Sequence, residues 1–226
     1  MKIFRKPLLS LFEIYLQTGG FPLSIRDFYE RNSITITTEK TYLDWIKNEW
    51  IRMNKNEKYM KEIISYILRA KLSPVSWFKI AQNTSINSPN TVLSYIETLE
   101  NMYIAKVLYV YTHEGKIAYR KNKKIHIIDP FLYRILSRYT RVKIDEDQIV
   151  ESTIVGHIMR VGEVYYWKNK TEIDIVALVK DKKLYIEVKW SKKPKKTPPR
   201  PTPYTLDKYK IPLFLSAINW SMKIEV

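Results

Sequence analysis

The chain contains no cysteine. That absence excludes a disulfide framework and any zinc site built on thiolates. Its three histidines, His113, His126 and His157, are scattered, so an imidazole zinc cluster is not expected either. No run of 18 uninterrupted apolar residues occurs, which argues against a helical membrane span. Lys2, Arg5 and Lys6 precede Leu8–Phe12 like the start of a secretory leader. Glu13 then interrupts the apolar run and no small-residue cleavage site follows, so the expected location is the cytoplasm. Also missing is any G-x-x-x-x-G-K-[ST] stretch. Without that phosphate-cradling loop and its lysine, neither a bound nucleotide nor ATP hydrolysis is expected.

What is present in excess is positive charge, a net +16 over 226 residues. With 45% hydrophobic and 13% aromatic residues the chain is globular, long enough for one large or two to three small domains. A strongly basic globular protein favours a polyanionic partner, nucleic acid before an anionic membrane. The plainer alternative is a basic surface without a dedicated partner.

The most informative stretch is Glu172–Trp190, EIDIVALVKDKKLYIEVKW. Two runs rich in β-branched and aromatic residues, Glu172–Val179 and Leu184–Trp190, flank the polar turn Lys180–Lys183 and predict a hairpin. Leu184, Ile186, Val188 and Trp190 alternate with Tyr185, Glu187 and Lys189, while Glu172 and Asp174 share a face opposite Ile173 and Ile175. A four-residue turn would set Asp174 across from Lys189 and diagonal to Glu187. Two carboxylates and a lysine on one side of a short sheet suit a hard divalent cation with a steadying ammonium beside it. Asp174, twelve intervening residues, then Glu187-Val188-Lys189 resembles the PD-(D/E)xK motif of restriction-endonuclease-like nucleases. An ordinary cross-strand ion pair on a solvated face would give the same pattern.

Earlier in the chain, helices are expected over Pro7–Gln17, stopped by Gly19-Gly20, and over Thr41–Met53, with ITITTEK between them open to strand or loop. Glu57–Ala70 has helical periodicity. Ser73-Pro74 and Ser88-Pro89 both read as helix starts, the second opening Thr91–Glu100. Two strands, Ile104–Tyr111 and Lys116–Arg120, follow. Helix, helix-turn-helix and hairpin is the winged-helix order, and Lys116, Arg120, Lys121, Lys123 and Lys124 would neutralise DNA phosphates from the wing. Winged helices also serve protein contacts, and Thr91–Glu100 carries two glutamates and no lysine or arginine.

Lys124–Ile128 reads as a strand ending at Asp129-Pro130, Phe131–Arg138 as a short helix, and Glu146–Arg160 as a helix burying Val150, Ile154, Val155 and Ile158. Glu151 projects near that buried side, where a carboxylate needs a partner. Glu163–Trp167 is a strand. SKKPKKTPPRPTP after Trp190 is a basic loop whose Lys192, Lys193, Lys195 and Lys196 are further candidate DNA contacts. A helical turn near Leu206–Tyr209 and a last strand, Ile211–Ala217, close the chain.

Tyr15-Leu16, Gly19-Gly20-Phe21-Pro22, the winged-helix order, Ile127-Ile128-Asp129-Pro130 and EIDIVA with EVKW together resemble the archaeal and bacterial AAA-type ATPases. The likeness is to the half of those proteins that follows their P-loop domain: a helical lid, a winged helix and a nuclease-like domain. It implies an α/β (α+β) chain with a helical segment at 1–55, a winged helix at 56–125 and a restriction-endonuclease-like mixed sheet at 126–226. It also implies Glu151 as the first-helix acid, Asp174 and Glu187 as carboxylates that hold Mg²⁺ or Mn²⁺ with the Val188 carbonyl, and Lys189 as the catalytic lysine. The expected activity is metal-dependent DNA cleavage. The alternatives are a catalytically inactive DNA-binding protein and a module that docks a separate ATPase through residues 1–55.

Overall fold

The computed structural model describes residues 5–169, 171–180, 182–191 and 201–220, and shows an α+β protein. Three helices lead, α1 (Arg5–Thr18), α2 (Pro22–Arg31) and α3 (Ile36–Arg52). The α2 helix lies where no element was expected, because its polar stretch SIRDFYER hides the helical period. It starts on Pro22, whose missing N–H costs nothing in a first turn, and ends at Asn32 in the left-handed region (φ 53). ITITTEK is neither strand nor loop throughout. Thr35 caps α3 by accepting a hydrogen bond from the Thr38 N–H, and the helix starts at Ile36.

These helices are fastened to the rest at one joint. Gly19 (φ +58) approaches so closely that a Cβ there would lie 2.3 Å from Asp129 Oδ1. The same carboxylate caps helix α7 (Pro130–Thr140), accepting from the N–H groups of Phe131 (2.8 Å) and Leu132 (3.2 Å), and takes a third bond from the Gly20 N–H at 3.1 Å. Phe21 packs on Phe131 and Tyr42. The Gly-Gly-Phe-Pro and Asp-Pro stretches, 109 residues apart, are thus two halves of one contact.

Helices α4 (Glu57–Arg69), α5 (Trp77–Gln82) and α6 (Pro89–Asn101) follow, capped by Asn56, Ser76 and Ser88. The expected start at Ser73 moves to Ser76, since Val75 is already committed to a bridge with Lys123. The expected strand Ile104–Tyr111 divides. Its first part, β1 (Ala105–Leu108), pairs with β4 (Lys124–Ile127), and its second, β2 (Val110–Tyr111), turns away to pair with β3 (Ile117–Ala118).

The main sheet has six strands in the order β3-β2-β5-β6-β7-β8, with β5 (Glu163–Lys168), β6 (Glu172–Val179), β7 (Lys182–Lys189) and β8 (Tyr204–Asp207). The β2–β5 and β7–β8 pairs are parallel and the rest antiparallel. Because β2 joins β5, the sheet runs across residue 125, the boundary anticipated between winged helix and nuclease-like unit. Helix α8 (Glu146–Ile158) packs on this sheet, and α9 (Lys210–Trp220) closes the described chain. The ending is a correction: strand then helix, not helical turn then strand. Leu206 is buried where β8 extends the β7 edge, while Ile211, Leu215 and Ile218 follow a helical spacing into the core.

A buried cluster of four acids around two lysines

Helix α8 brings the first acid. Gln148 and Asp145 cap it reciprocally, and Glu146 and Asp147 in the first turn favour the positive end of its dipole. On its inner face Gly156 lets the helix lie against the end of β4, for a Cβ there would sit 2.4 Å from the Ile128 carbonyl oxygen. One turn earlier Ser152 Oγ lies 3.1 Å from His126 Nδ1. This close approach presents Glu151 to Lys124, the first residue of β4.

The Lys124 ammonium is the centre of the site. Its side chain is only 3% exposed, and Nζ lies 2.9 Å from Glu172 Oε1, 3.6 Å from Glu151 Oε1 and 3.9 Å from Asp174 Oδ1. The Tyr166 ring lies 5.6 Å beyond it, and the Tyr166 hydroxyl donates to the Asn122 carbonyl at 2.6 Å. Burial works against the Lys124 charge, but Glu151, Asp174 and Glu172 outweigh it and hold the group above its ordinary range. Glu172 is pushed up by burial, yet its pairs with Lys124 and Lys168 (2.6 Å) leave it below the usual carboxylate range.

Asp174 reaches this place through an irregularity. Between Tyr165 and Trp167 on β5, three steps of β6, from Ile173 to Val176, match two of β5. The extra residue lets Ile175, Ala177 and Val179 pack in the main core while Ile173 and Val176 join the aromatic cluster of Tyr111, Tyr165 and Trp167. The expectation that Ile173 and Ile175 share one side is therefore corrected. The hairpin turn is also shorter than expected. Val179 pairs with Lys182, and Lys180 takes a left-handed φ of 53. Lys182 and Lys183 belong to β7, and continuing the Ile175–Ile186 register sets Asp174 across from Glu187 rather than Lys189. Asp174 Oδ2 accepts from the Val188 N–H at 2.9 Å, and Lys189 Nζ lies 2.7 Å from Glu187 Oε1.

Burial pushes Glu151 up to about 7; Lys124 opposes it, and Asp174, Glu172 and Glu187 add to it. Glu151 Oε1 is buried without a hydrogen-bond partner. Burial also raises Asp174, countered by Lys124 and reinforced by Glu187. Among the described residues no group of three or more His, Cys, Asp or Glu side chains is gathered to hold a metal ion. The oxygen donors suit a hard cation, and the orphaned Glu151 oxygen can accept one, but the acids are spaced around an ammonium.

Glu151, Asp174, Glu187 and Lys189 are thus brought together, as is Val188 through its N–H. Lys124 and Glu172 join this site without having been expected there from the sequence. A lysine opening the apolar strand KIHII was the available signal for the first, and the face Glu172 shares with Asp174 for the second. The basic stretch before Ile125 splits. Lys116 is exposed and 3.4 Å from Glu114, and Arg120 and Lys121 are exposed. Lys123 is buried, 5.2 Å from the Trp77 ring, and Lys124 is buried among carboxylates. Neither of these last two can neutralise a DNA phosphate from the surface. Lys192, Lys193, Lys195 and Lys196 lie outside the described residues.

A family model for a domain of unknown function, DUF8612, matches residues 9–143, more than half of the chain. The chain belongs to the DUF8612 family. That match runs from α1 through α7 and takes in Lys124. A second model, DUF234, described as archaeal and bacterial proteins of unknown function, matches residues 108–198 and so covers every member of the acid cluster. It agrees with the archaeal and bacterial resemblance seen in the sequence. Neither the curated proteins nor the solved structures give a match. Among the described residues no helix is long and apolar enough to cross a membrane.

Proposed function

We propose that the chain acts on DNA phosphodiester bonds as a metal-dependent, endonuclease-like protein. The supporting observation is the convergence of Glu151, Asp174, Glu187 and Lys189, from one helix and two strands, around a single buried site. Asp174, Glu187 and the Val188 carbonyl would hold Mg²⁺ or Mn²⁺, with Glu151 completing the set, and the ion supplies charge neutralisation and a more acidic bound water. Lys189, anchored by Glu187, is placed to orient a water or steady a phosphate oxygen. A carboxyl held near 7, as Glu151 is, can take or give a proton at neutral pH. The order α4, α5, α6 and the β2–β3 hairpin supports a winged-helix reading. Helix α6 has no basic residue, so contact with nucleic acid is assigned to Arg120 and Lys121 rather than to that helix.

A second reading has its own support, a nuclease-like protein that grips DNA without cutting it. Lys124 sits where a cation would compensate Glu151, Glu172 and Asp174. Incubation of pure protein with linear and branched DNAs, in Mg²⁺ or Mn²⁺ against EDTA, separates the two. The first reading expects metal-dependent cleavage that Asp174→Ala and Lys189→Ala abolish. Tight, salt-sensitive binding with no cleavage in any metal selects the second.

A further inference from the structure

We propose that the cavity between the β2–β3 hairpin and the end of β5 seats a single-stranded segment of nucleic acid and leads it to the acid cluster. The inference rests on the reading of that cluster as a phosphodiester site. The cavity has a volume of about 630 Å³. That lies within the roughly 300–1,000 Å³ of sites that enclose small ligands, room for a nucleotide unit and not for a duplex. Val110 and Ala118 contribute apolar surface, and Arg120, Lys121 and Lys168 bring three cations to it.

Two of these cations are unspent. Arg120 and Lys121 are exposed and have no acidic partner among the described residues, whereas Lys116 on the same hairpin has Glu114 at 3.4 Å. A guanidinium with a free fork beside a free ammonium matches phosphate oxygens. The third cation ties the cavity to the acids. Lys168 bonds Glu172 at 2.6 Å, Glu172 holds Lys124 at 2.9 Å, and Lys124 reaches Glu151 and Asp174. Tyr166 lines the cavity and carries Lys124 against its ring, so one layer of side chains separates the two places. A strand whose phosphates rest on Arg120 and Lys121 runs past Lys168 toward the carboxylates.

The test is fluorescence anisotropy with a labelled single-stranded oligothymidylate in EDTA, where neither metal nor cleavage enters. Arg120→Ala/Lys121→Ala should weaken binding at least about tenfold and reduce the log-log salt slope by about 1.4, roughly 0.7 per lost phosphate contact. Lys58→Ala, a charge deletion on α4 outside the cavity at a side chain 70% exposed, should change affinity by less than about twofold, and a hairpin duplex of equal length should bind less tightly than the single strand. The inference is overturned if Lys58→Ala weakens binding as much as the double variant, if the duplex binds as well, or if polyglutamate displaces the strand as readily as unlabelled oligothymidylate. Mn²⁺-induced thermal stabilisation, measured on the same proteins, keeps the two claims apart. If it persists while the binding test fails, only the cavity assignment falls. If it is absent while binding depends on Arg120 and Lys121, the cavity keeps its strand, and the metal reading of the acids falls together with the path toward them.

Discussion

Lys124 pairs with more of the clustered carboxylates than Lys189 does. Its ammonium is buried, and three carboxylates depend on it. Removing one member of a buried ionic group costs about 3–5 kcal/mol, because the remaining charges stay desolvated without compensation. Lys124→Met should therefore lower stability in EDTA by that order in urea unfolding, and Mn²⁺ should return part of the loss by taking the ammonium's place. A variant as stable as wild type would show that the acids are solvated and not held by Lys124. A second residue gives a pH signature far from the site. Hydrogen bonds from Thr35 and Thr38 hold Asp27 at about 2, below its ordinary 3.8. A carboxylate depressed in this way adds stability that is complete above about pH 4 and lost as pH falls through about 2. Asp27→Asn should melt below wild type at pH 7, with the gap narrowing as the pH is taken from 4 toward 2. A gap independent of pH would mean that the carboxylate charge contributes nothing.

At the scale of elements, the position of Glu151 depends on how closely α8 lies on β4. Gly156→Ala tests that. Helix propensity alone would make the change stabilising, by up to about 1 kcal/mol. The new Cβ, however, would lie 2.4 Å from the Ile128 carbonyl, a backbone atom that cannot swing aside. Overpacking of this kind costs roughly 1–3 kcal/mol, so net destabilisation is expected in urea unfolding, and a stabilised variant would place α8 farther out. The same elements show what the sequence could and could not convey. Helix α8, the hairpin β6–β7 and four members of the acid cluster were legible because periodicity of 3.6 and 2 survives in Val150–Ile158 and Leu184–Lys189. The hairpin register was not. It turns on the left-handed Lys180, while the parting of Ile173 from Ile175 turns on an extra residue of β6 against β5, and neither leaves a composition signal. Nor could spacing reveal that Lys124, fifty residues before Asp174, reaches it across the fold. At the chain's end, β8 and α9 were read in reversed order because Ile211–Ala217 is apolar enough for either period, and only the free edge of β7 decides which segment becomes the strand.

At the scale of the molecule, the helical segment, the α4–α6 helices and the main sheet are one connected structure. Asp129 ties Gly20 to α7, β2 joins the hairpin to β5, and Lys124 reaches from the two-stranded sheet into the acid cluster. Arg120 and Lys121 follow β3 at one edge of the sheet whose inner strands β6 and β7 carry Glu172, Asp174 and Glu187. The proposed function requires those acids to form a cation-binding phosphodiester site and not a purely structural ion-pair network. Thermal melting of wild type, Asp174→Ala and Glu187→Ala, each in EDTA and in Mn²⁺, tests it most directly. Mn²⁺ is expected to raise the wild-type midpoint, by the equivalent of about 2.7 kcal/mol at a hundredfold excess over its dissociation constant. Both variants are expected to lose that gain, and both melt lower than wild type in EDTA, because Asp174→Ala leaves the Val188 N–H without its acceptor and Glu187→Ala strips Lys189 of its partner. A wild type indifferent to Mn²⁺ would contradict it and leave the cluster with a structural role only.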